Sequence, residues 1–243
     1  MNPIFKSLEF IRHSPVGGGL ARFWHCCAPS FKVRKTVFGL KMYFDFRDNA
    51  IWWARSADKL EKDETIFDFL NHFKGNFWDV GSNVGIVALR AAALGHRVTA
   101  FDISGKALGL LAHSAKQNGL NITTVNRAFS TRSFAYNQPK SSDTENAIVE
   151  SPDGDSHSIT FLEAVEKYGR PDLLKMDIEG AEMEFIQSAE FKKWIIENRI
   201  PWIVEFHSPE FKTKLWPDCQ FTQLDYSHYG LNLEKLPRLS GCN

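Results

Sequence analysis

The chain carries no surplus of charge: 29 Lys and Arg balance 29 Asp and Glu over 243 residues. Bulk, sequence-independent nucleic-acid binding draws on excess Lys and Arg to displace counterions, so that partner is not expected. Cysteine is scarce. Cys26, Cys27, Cys219 and Cys242 form no C-x-x-C spacing for zinc, and the adjacent pair is poorly placed to bridge. Free thiols in a reducing cytoplasm are expected instead. No apolar run approaches the roughly 18–20 residues of a membrane span. At the start, Ile4, Phe5, Leu8 and Ile11 have helical spacing but are interrupted by Lys6 and Glu9. A signal peptide needs an unbroken apolar stretch, so residues 1–11 read as a docking helix of a cytoplasmic protein. Internal repeats and low-complexity tracts are also missing, which excludes solenoids and arrays.

Aromatic residues, by contrast, are plentiful. Twenty Phe and seven Trp imply an aromatic-rich core or pocket. The length suits one α/β domain with a sizeable core (residues 36–243) behind an N-terminal extension (residues 1–35). A hairpin is expected over 36–47 and a helix over 65–73. Then strands at 77–80, 98–102 and 122–125 alternate with helices at 84–94 and 105–118. A helix at 161–168, a strand at 173–177, a helix at 181–196 and a strand at 202–206 continue the rhythm, and 221–226 suggests one edge strand. Such alternation indicates a mostly parallel sheet with helices on both faces. Residues 137–158, rich in Ser, Asp, Asn, Pro and Gly, read as a long surface loop or β excursion.

The strongest local signal is F-W-D-V-G-S-N-V-G, residues 77–85. A strand ends in Asp79 and Val80, and Gly81 and Gly85 flank a turn into a helix, as close approach of a ligand to backbone requires. Asn83 stands where a dinucleotide fingerprint has its middle glycine, which disfavours a pyrophosphate on the helix N-terminus. S-adenosylmethionine has no phosphate, and its ammonium and sulfonium favour a carboxylate such as Asp79. Asp102 ends the next strand, where an acidic residue accepts ribose hydroxyls in nucleoside-binding α/β folds. Otherwise it caps the following helix, with Ser104 as the rival cap. The expected cofactor set is Asp79, Gly81, Ser82, Asn83, Gly85, Asp102 and Ile103.

A second acidic group, Asp177, Glu179 and Glu182, surrounds the turn at Gly180. Ligands of open α/β sheets bind outside the carboxyl ends of the strands, so Asp177 would face the same cleft as Asp102. Glu179 and Glu182 also suit a first helical turn, where acids complement the dipole. Glu205 and His207, two apart on a strand, share a face and would converge with Asp177. The trio Asp177, Glu205 and His207 is read either as a general base for a hydroxyl or amine or as ligands for a divalent metal. Tyr43, Phe44, Trp52 and Trp53 would line an apolar or sugar acceptor, or simply pack on the domain.

Together these segments resemble the FkbM family of methyltransferases. The matching positions are Asp79 to Gly85, Phe101 with Asp102, Asn126 to Ser130, Lys175 to Glu182, and Glu205 with His207. The resemblance spans about residues 40–210. It implies a Rossmann-like class I methyltransferase fold, S-adenosylmethionine as cofactor, and methyl transfer to a hydroxyl of a sugar, glycan or secondary metabolite. Ser82 in place of Ala, and Asp102 in place of the commoner Glu, depart from the family pattern. A non-catalytic domain that binds adenosylmethionine as a scaffold or sensor is the alternative.

Overall fold

The computed structural model describes residues 28–49, 66–140, 148, 150–207, 215–224 and 227–233. The docking helix expected at residues 1–11, and Trp52 and Trp53, lie outside them. The first described element is a hairpin of β1 (Lys32–Val37) and β2 (Leu40–Asp45), paired antiparallel around Phe38 and Gly39. It begins at Lys32 rather than residue 36, so the basic stretch expected to close the extension is a strand. Backbone pairing with β2 decides this, because Lys32, Arg34 and Thr36 point to solvent and carry no apolar signal.

The remaining strands and helices alternate as follows: α1 (Ile66–His72), β3 (Asn76–Val80), α2 (Ile86–Ala93), β4 (Arg97–Phe101), α3 (Gly105–Gln117) and β5 (Ile122–Val125). Two short strands, β6 (Phe129–Ser130) and β7 (Ala135–Tyr136), precede β8 (Ser156–His157), β9 (Ile159–Thr160) and α4 (Phe161–Tyr168). Then come β10 (Leu173–Met176), α5 (Glu182–Gln187), α6 (Ala189–Glu197), β11 (Trp202–Glu205), β12 (Thr222–Gln223) and β13 (His228–Leu231). The main sheet runs β12-β13-β11-β10-β3-β4-β5, parallel from β11 to β5 with β13 reversed.

Strand alternation separates the two faces. Phe77, Val98, Ala100, Leu173 and Ile203 join α1, α2, α3 and the hairpin in one core, with Ile66, Leu70, Ala88, Leu111 and Phe44. Trp78, Val80, Phe101, Leu174, Met176, Trp202 and Val204 face α4, α5 and α6 in the other, against Phe161, Phe185 and Phe191. The aromatic abundance is therefore largely core: Trp78 and Trp202 are wholly buried. Each such side chain contributes on the order of 2–3 kcal/mol of burial. Phe44 is likewise core, and Tyr43 packs edge-on against His113, so neither forms an acceptor wall.

Two further elements differ from expectation. The helix expected over 181–196 is two helices, because Ser188 leaves helical geometry (ψ 111°) and its hydroxyl accepts the Phe191 N–H to start α6. The edge strand expected at 221–226 is only β12, and β13, which has no clear apolar alternation, fits between it and β11. Within the long 137–158 segment, β8 returns to pair with β7.

The chain moves outward from β3 to β5, then returns to β10 and moves the opposite way. The crevice where that order reverses, outside the carboxyl ends of β3 and β10, is where open α/β sheets bind ligands.

Candidate active site

Residues 81–85 turn the chain from β3 into α2. The N–H groups of Gly81 and Ser82 both donate to the Phe101 carbonyl, at 2.9 and 3.0 Å, tying the turn to the end of β4. Gly81 has φ +78°, and a β-carbon there would stand 1.6 Å from the Asp177 carbonyl oxygen. Only glycine fits between the two strand ends. Asn83 takes φ +51°, the left-handed region that Asn tolerates best, and its side-chain oxygen accepts the Val84 N–H.

Asp102 reaches back to this turn. Its Oδ2 accepts the Asn83 N–H at 2.7 Å and its Oδ1 the Ser104 N–H at 2.8 Å. Burial pushes its pKa up to about 6, against the pull of those two N–H groups. The cap of α3 is Ser104, whose hydroxyl accepts the Ala107 N–H, so the capping alternative for Asp102 is set aside.

A cavity of roughly 370 Å³ opens at the crevice, a size typical of small-molecule sites. Gly81, Asn83, Asp102 and Ile103 form one wall, Asp177, Glu179 and Gly180 another, and Arg127, Ala128, Phe129 and Ile148 close it. Ser82 and Gly85 of the expected set are absent from this lining. Ser82 is buried, and Gly85 is where α2 packs on α3: a β-carbon there would meet Leu111 at 2.2 Å.

Asp79 stands apart from this lining. It was expected to face the cofactor's positive charge, but it is completely buried and absent from the cavity wall. Its register partner across β3 and β10 is Lys175, itself buried, whose Nζ lies 3.5 Å from Asp79 Oδ1 and 3.2 Å from Asp177 Oδ2. Burial raises the Asp79 pKa, with Lys175 opposing that rise. A lysine between two aspartates thus joins the floor of the turn to the cavity wall.

The second cluster converges as its parity predicts. Ile203 and Leu173 point to the α1–α3 face, and Glu205 and Lys175, two residues on, share it. Asp177 and His207 continue the same parity just past the strand ends. His207 Nδ1 lies 3.2 Å from Glu182 Oε1, and its Nε2 lies 3.6 Å from Asp177, 3.5 Å from Glu179 and 4.0 Å from Glu205. Hydrogen bonding to Glu182 raises the His207 pKa to about 9; burial opposes this and the charges of Asp177, Glu182 and Glu179 add to it. With its pKa there, the ring would be protonated at neutral pH.

Glu182 is buried and accepts the N–H groups of Ile178 and Gly180, closing the turn in which Glu179 sits at φ +53°. It serves that loop and His207 rather than only a helix dipole. For Glu205, burial raises the pKa, but His228, Ser227 and the His207 charge outweigh it and hold the carboxylate at about 2.

The sequence profile of the methyltransferase FkbM domain matches residues 79–224, from Asp79 through the end of the acidic cluster and into β12. The chain belongs to the FkbM methyltransferase family. Its Rossmann-like sheet is the class I methyltransferase fold, and S-adenosylmethionine is the cofactor of that class. No curated protein sequence matches the chain.

Solved structures with a similar fold include a Pyrococcus abyssi tRNA (uracil-54, C5)-methyltransferase in complex with S-adenosyl-L-homocysteine, 10% identical with TM-score 0.45, over 82% of this chain and 43% of that one. A T. thermophilus 16S rRNA N2 G1207 methyltransferase in complex with AdoMet and guanosine is 13% identical, TM-score 0.47, over 84% and 50%. A SAM-dependent methyltransferase from Agrobacterium tumefaciens is 14% identical, TM-score 0.43, over 74% and 54%. The chain thus spans about half the length of these three proteins.

Within this FkbM domain, several residues of the segments that carry the resemblance had no role assigned to them from their own chemistry. Lys175 stands in an apolar strand and reads as an isolated charge, although a lysine flanked by buried positions was the available sign. Arg127, Ala128 and Phe129 enter the cavity from the β5–β6 connection, where the Asn126 side chain donates to the carbonyls of Asp102 and Ile103. Ile148 comes from the 137–158 segment. Among the described residues, no helix is long and apolar enough to cross a membrane.

Proposed function

We propose that this protein methylates a hydroxyl of a sugar, glycan or secondary metabolite, using S-adenosylmethionine. One observation carries the reading: a single cavity has the glycine turn and Asp102 on one wall and Asp177 with Glu179 on the other. The Asp102 wall suits the nucleoside, whose ribose hydroxyls donate to a carboxylate. The opposite wall then receives the acceptor.

In the transfer, the acceptor oxygen attacks the sulfonium methyl carbon in line. The new O–C bond forms as the C–S bond breaks, leaving S-adenosylhomocysteine, and the hydroxyl proton passes to a base. Asp177 is assigned that base, since it borders the cavity and His207 is already protonated. Holding nucleophile and methyl carbon about 3–3.5 Å apart and aligned supplies up to about 7–11 kcal/mol of rate acceleration.

Donor atoms of Asp177, Glu205 and His207 all lie within 4.8 Å of one another, which supports a second reading. These mixed oxygen and nitrogen donors fit a divalent cation, which when bound lowers the pKa of the acceptor hydroxyl. The trio would hold it once His207 gave up its proton.

Tritium-labelled S-adenosylmethionine incubated with fractions of a cell extract tests both readings. Label is expected in low-mass or carbohydrate fractions, and Asp177→Asn should slow its transfer about 100-fold with adenosylmethionine affinity little changed. Chelator sensitivity, restored by Mg²⁺ or Mn²⁺, would select the metal reading. Label confined to RNA or protein overturns the acceptor class, and tight cofactor binding with no label transfer to any fraction favours a scaffold.

A further inference from the structure

The strand that the periodicity did not mark, β13, brings two side chains to Glu205. Antiparallel register sets His228 directly opposite Glu205, and residues opposed in this way project from the same face. Ser227, one residue earlier, donates from Oγ to Glu205 Oε1 at 2.9 Å. His228 Nε2 lies 3.3 Å from the other oxygen, Oε2, and its Nδ1 lies 3.5 Å from the Ser227 hydroxyl. His228 is 8% exposed, shut in beside the strand, whereas a quarter of the Glu205 side chain remains exposed.

Each carboxylate oxygen therefore has a neighbour from the start of β13, and Oε1 also lies 4.0 Å from His207 Nε2. A free glutamate side chain rotates about three bonds, and fixing it costs conformational entropy. Ordering it in the folded protein before acceptor binding removes that cost from the binding and transfer steps. The backbone ladder from Trp202 to Glu205 already fastens β13 to β11, so the two side chains are not needed for strand pairing. What they add is a fixed position for one carboxylate.

We propose that Ser227 and His228 are positioning residues that clamp Glu205 in the orientation the acceptor or its cation meets. The proposal rests on the reading of Asp177, Glu205 and His207 as the acceptor cluster, of which Asp177 borders the cavity. It makes β13 part of the functional apparatus rather than only a sheet-closing strand.

The test measures label transfer from tritiated S-adenosylmethionine to the reactive extract fraction, with S-adenosylmethionine as the varied substrate. Glu205→Gln should lower kcat about 100-fold. His228→Ala and Ser227→Ala should each lower kcat about 10- to 100-fold, as expected when a supporting partner is lost, with KM for S-adenosylmethionine unchanged. His228→Gln, which keeps a donor near the same place, should recover most of the loss and serves as the test if His228→Ala fails to fold. Normal kcat in His228→Ala beside a slow Glu205→Gln overturns the clamp alone. Normal kcat in both overturns the acceptor-site reading and the clamp with it.

A readout without acceptor uses ¹⁵N-labelled histidine. The His228 ring should carry its proton on Nε2, with a resonance that moves in Glu205→Gln. An unprotonated Nε2 overturns the clamp whatever the kinetics show.

Discussion

The carbonyl oxygen of Asp177 occupies the space where a side chain on Gly81 would begin, 1.6 Å from an ideal β-carbon. The glycine turn and the Asp177 wall of the cavity are thus in backbone contact, and displacement of one moves the other. Gly81→Ala should cost at least about 2 kcal/mol through backbone strain and displacement and weaken S-adenosylhomocysteine binding. Gly39→Ala provides the control, since its β-carbon meets nothing within 4 Å at a similar φ of +74°. It should cost about 1 kcal/mol and leave binding intact. Thermal unfolding and titration calorimetry distinguish the two, and equal binding by both variants would remove the functional claim for the contact.

Lys175 supplies the buried counter-charge for Asp79. Lys175→Met strands that carboxylate and should destabilise the fold by about 3–5 kcal/mol. Adding Asp79→Asn should return much of the loss, because the second change removes the unpaired charge. A double-mutant cycle by chemical denaturation measures this coupling; additive losses would show that the pair does not interact.

On the proposed reading, Asp102 should carry the pH dependence of cofactor affinity. Its pKa of about 6 lies above the ordinary 3.8, so the proton is held more tightly in the folded protein than in the unfolded chain. Ribose hydroxyls would donate to the ionised form. Affinity for S-adenosylhomocysteine should therefore be full above pH 7 and decline as pH falls through 6, approaching about tenfold per unit. Asp102→Asn should bind more weakly with little slope between pH 5 and 7. Parallel slopes for wild type and variant in calorimetry would assign the titration elsewhere.

Away from the site, α4 begins with a reciprocal cap: Thr160 Oγ1 accepts the Glu163 N–H at 3.2 Å and Glu163 Oε2 accepts the Thr160 N–H at 2.7 Å. Thr160→Ala should cost about 1 kcal/mol, a fall of about 2–4 °C in Tm. Cofactor affinity should stay constant in the same preparation. A matching drop in affinity would mean that α4 is coupled to the cavity through β9.

Local chemistry alone determined much of this protein. Alternating strands and helices, the Gly81–Gly85 turn, and the shared parity of Glu205 and His207 follow from short-range backbone rules, so the sheet and the convergence of Asp177, Glu205 and His207 were legible in the residues. Only tertiary structure decided which carboxylates face the cavity. Asp79 and Asp102 look alike in sequence, yet strand register buries the first against Lys175 and leaves the second at the cavity wall. The proton on His207 was equally hidden, because it depends on three carboxylates of the turn at Gly180 meeting a ring just past the end of β11. Likewise β13 exists through its pairing with β11, and with it His228 reaches Glu205. Spacing along a chain records which side a residue faces; packing decides what it meets there, and therefore its charge.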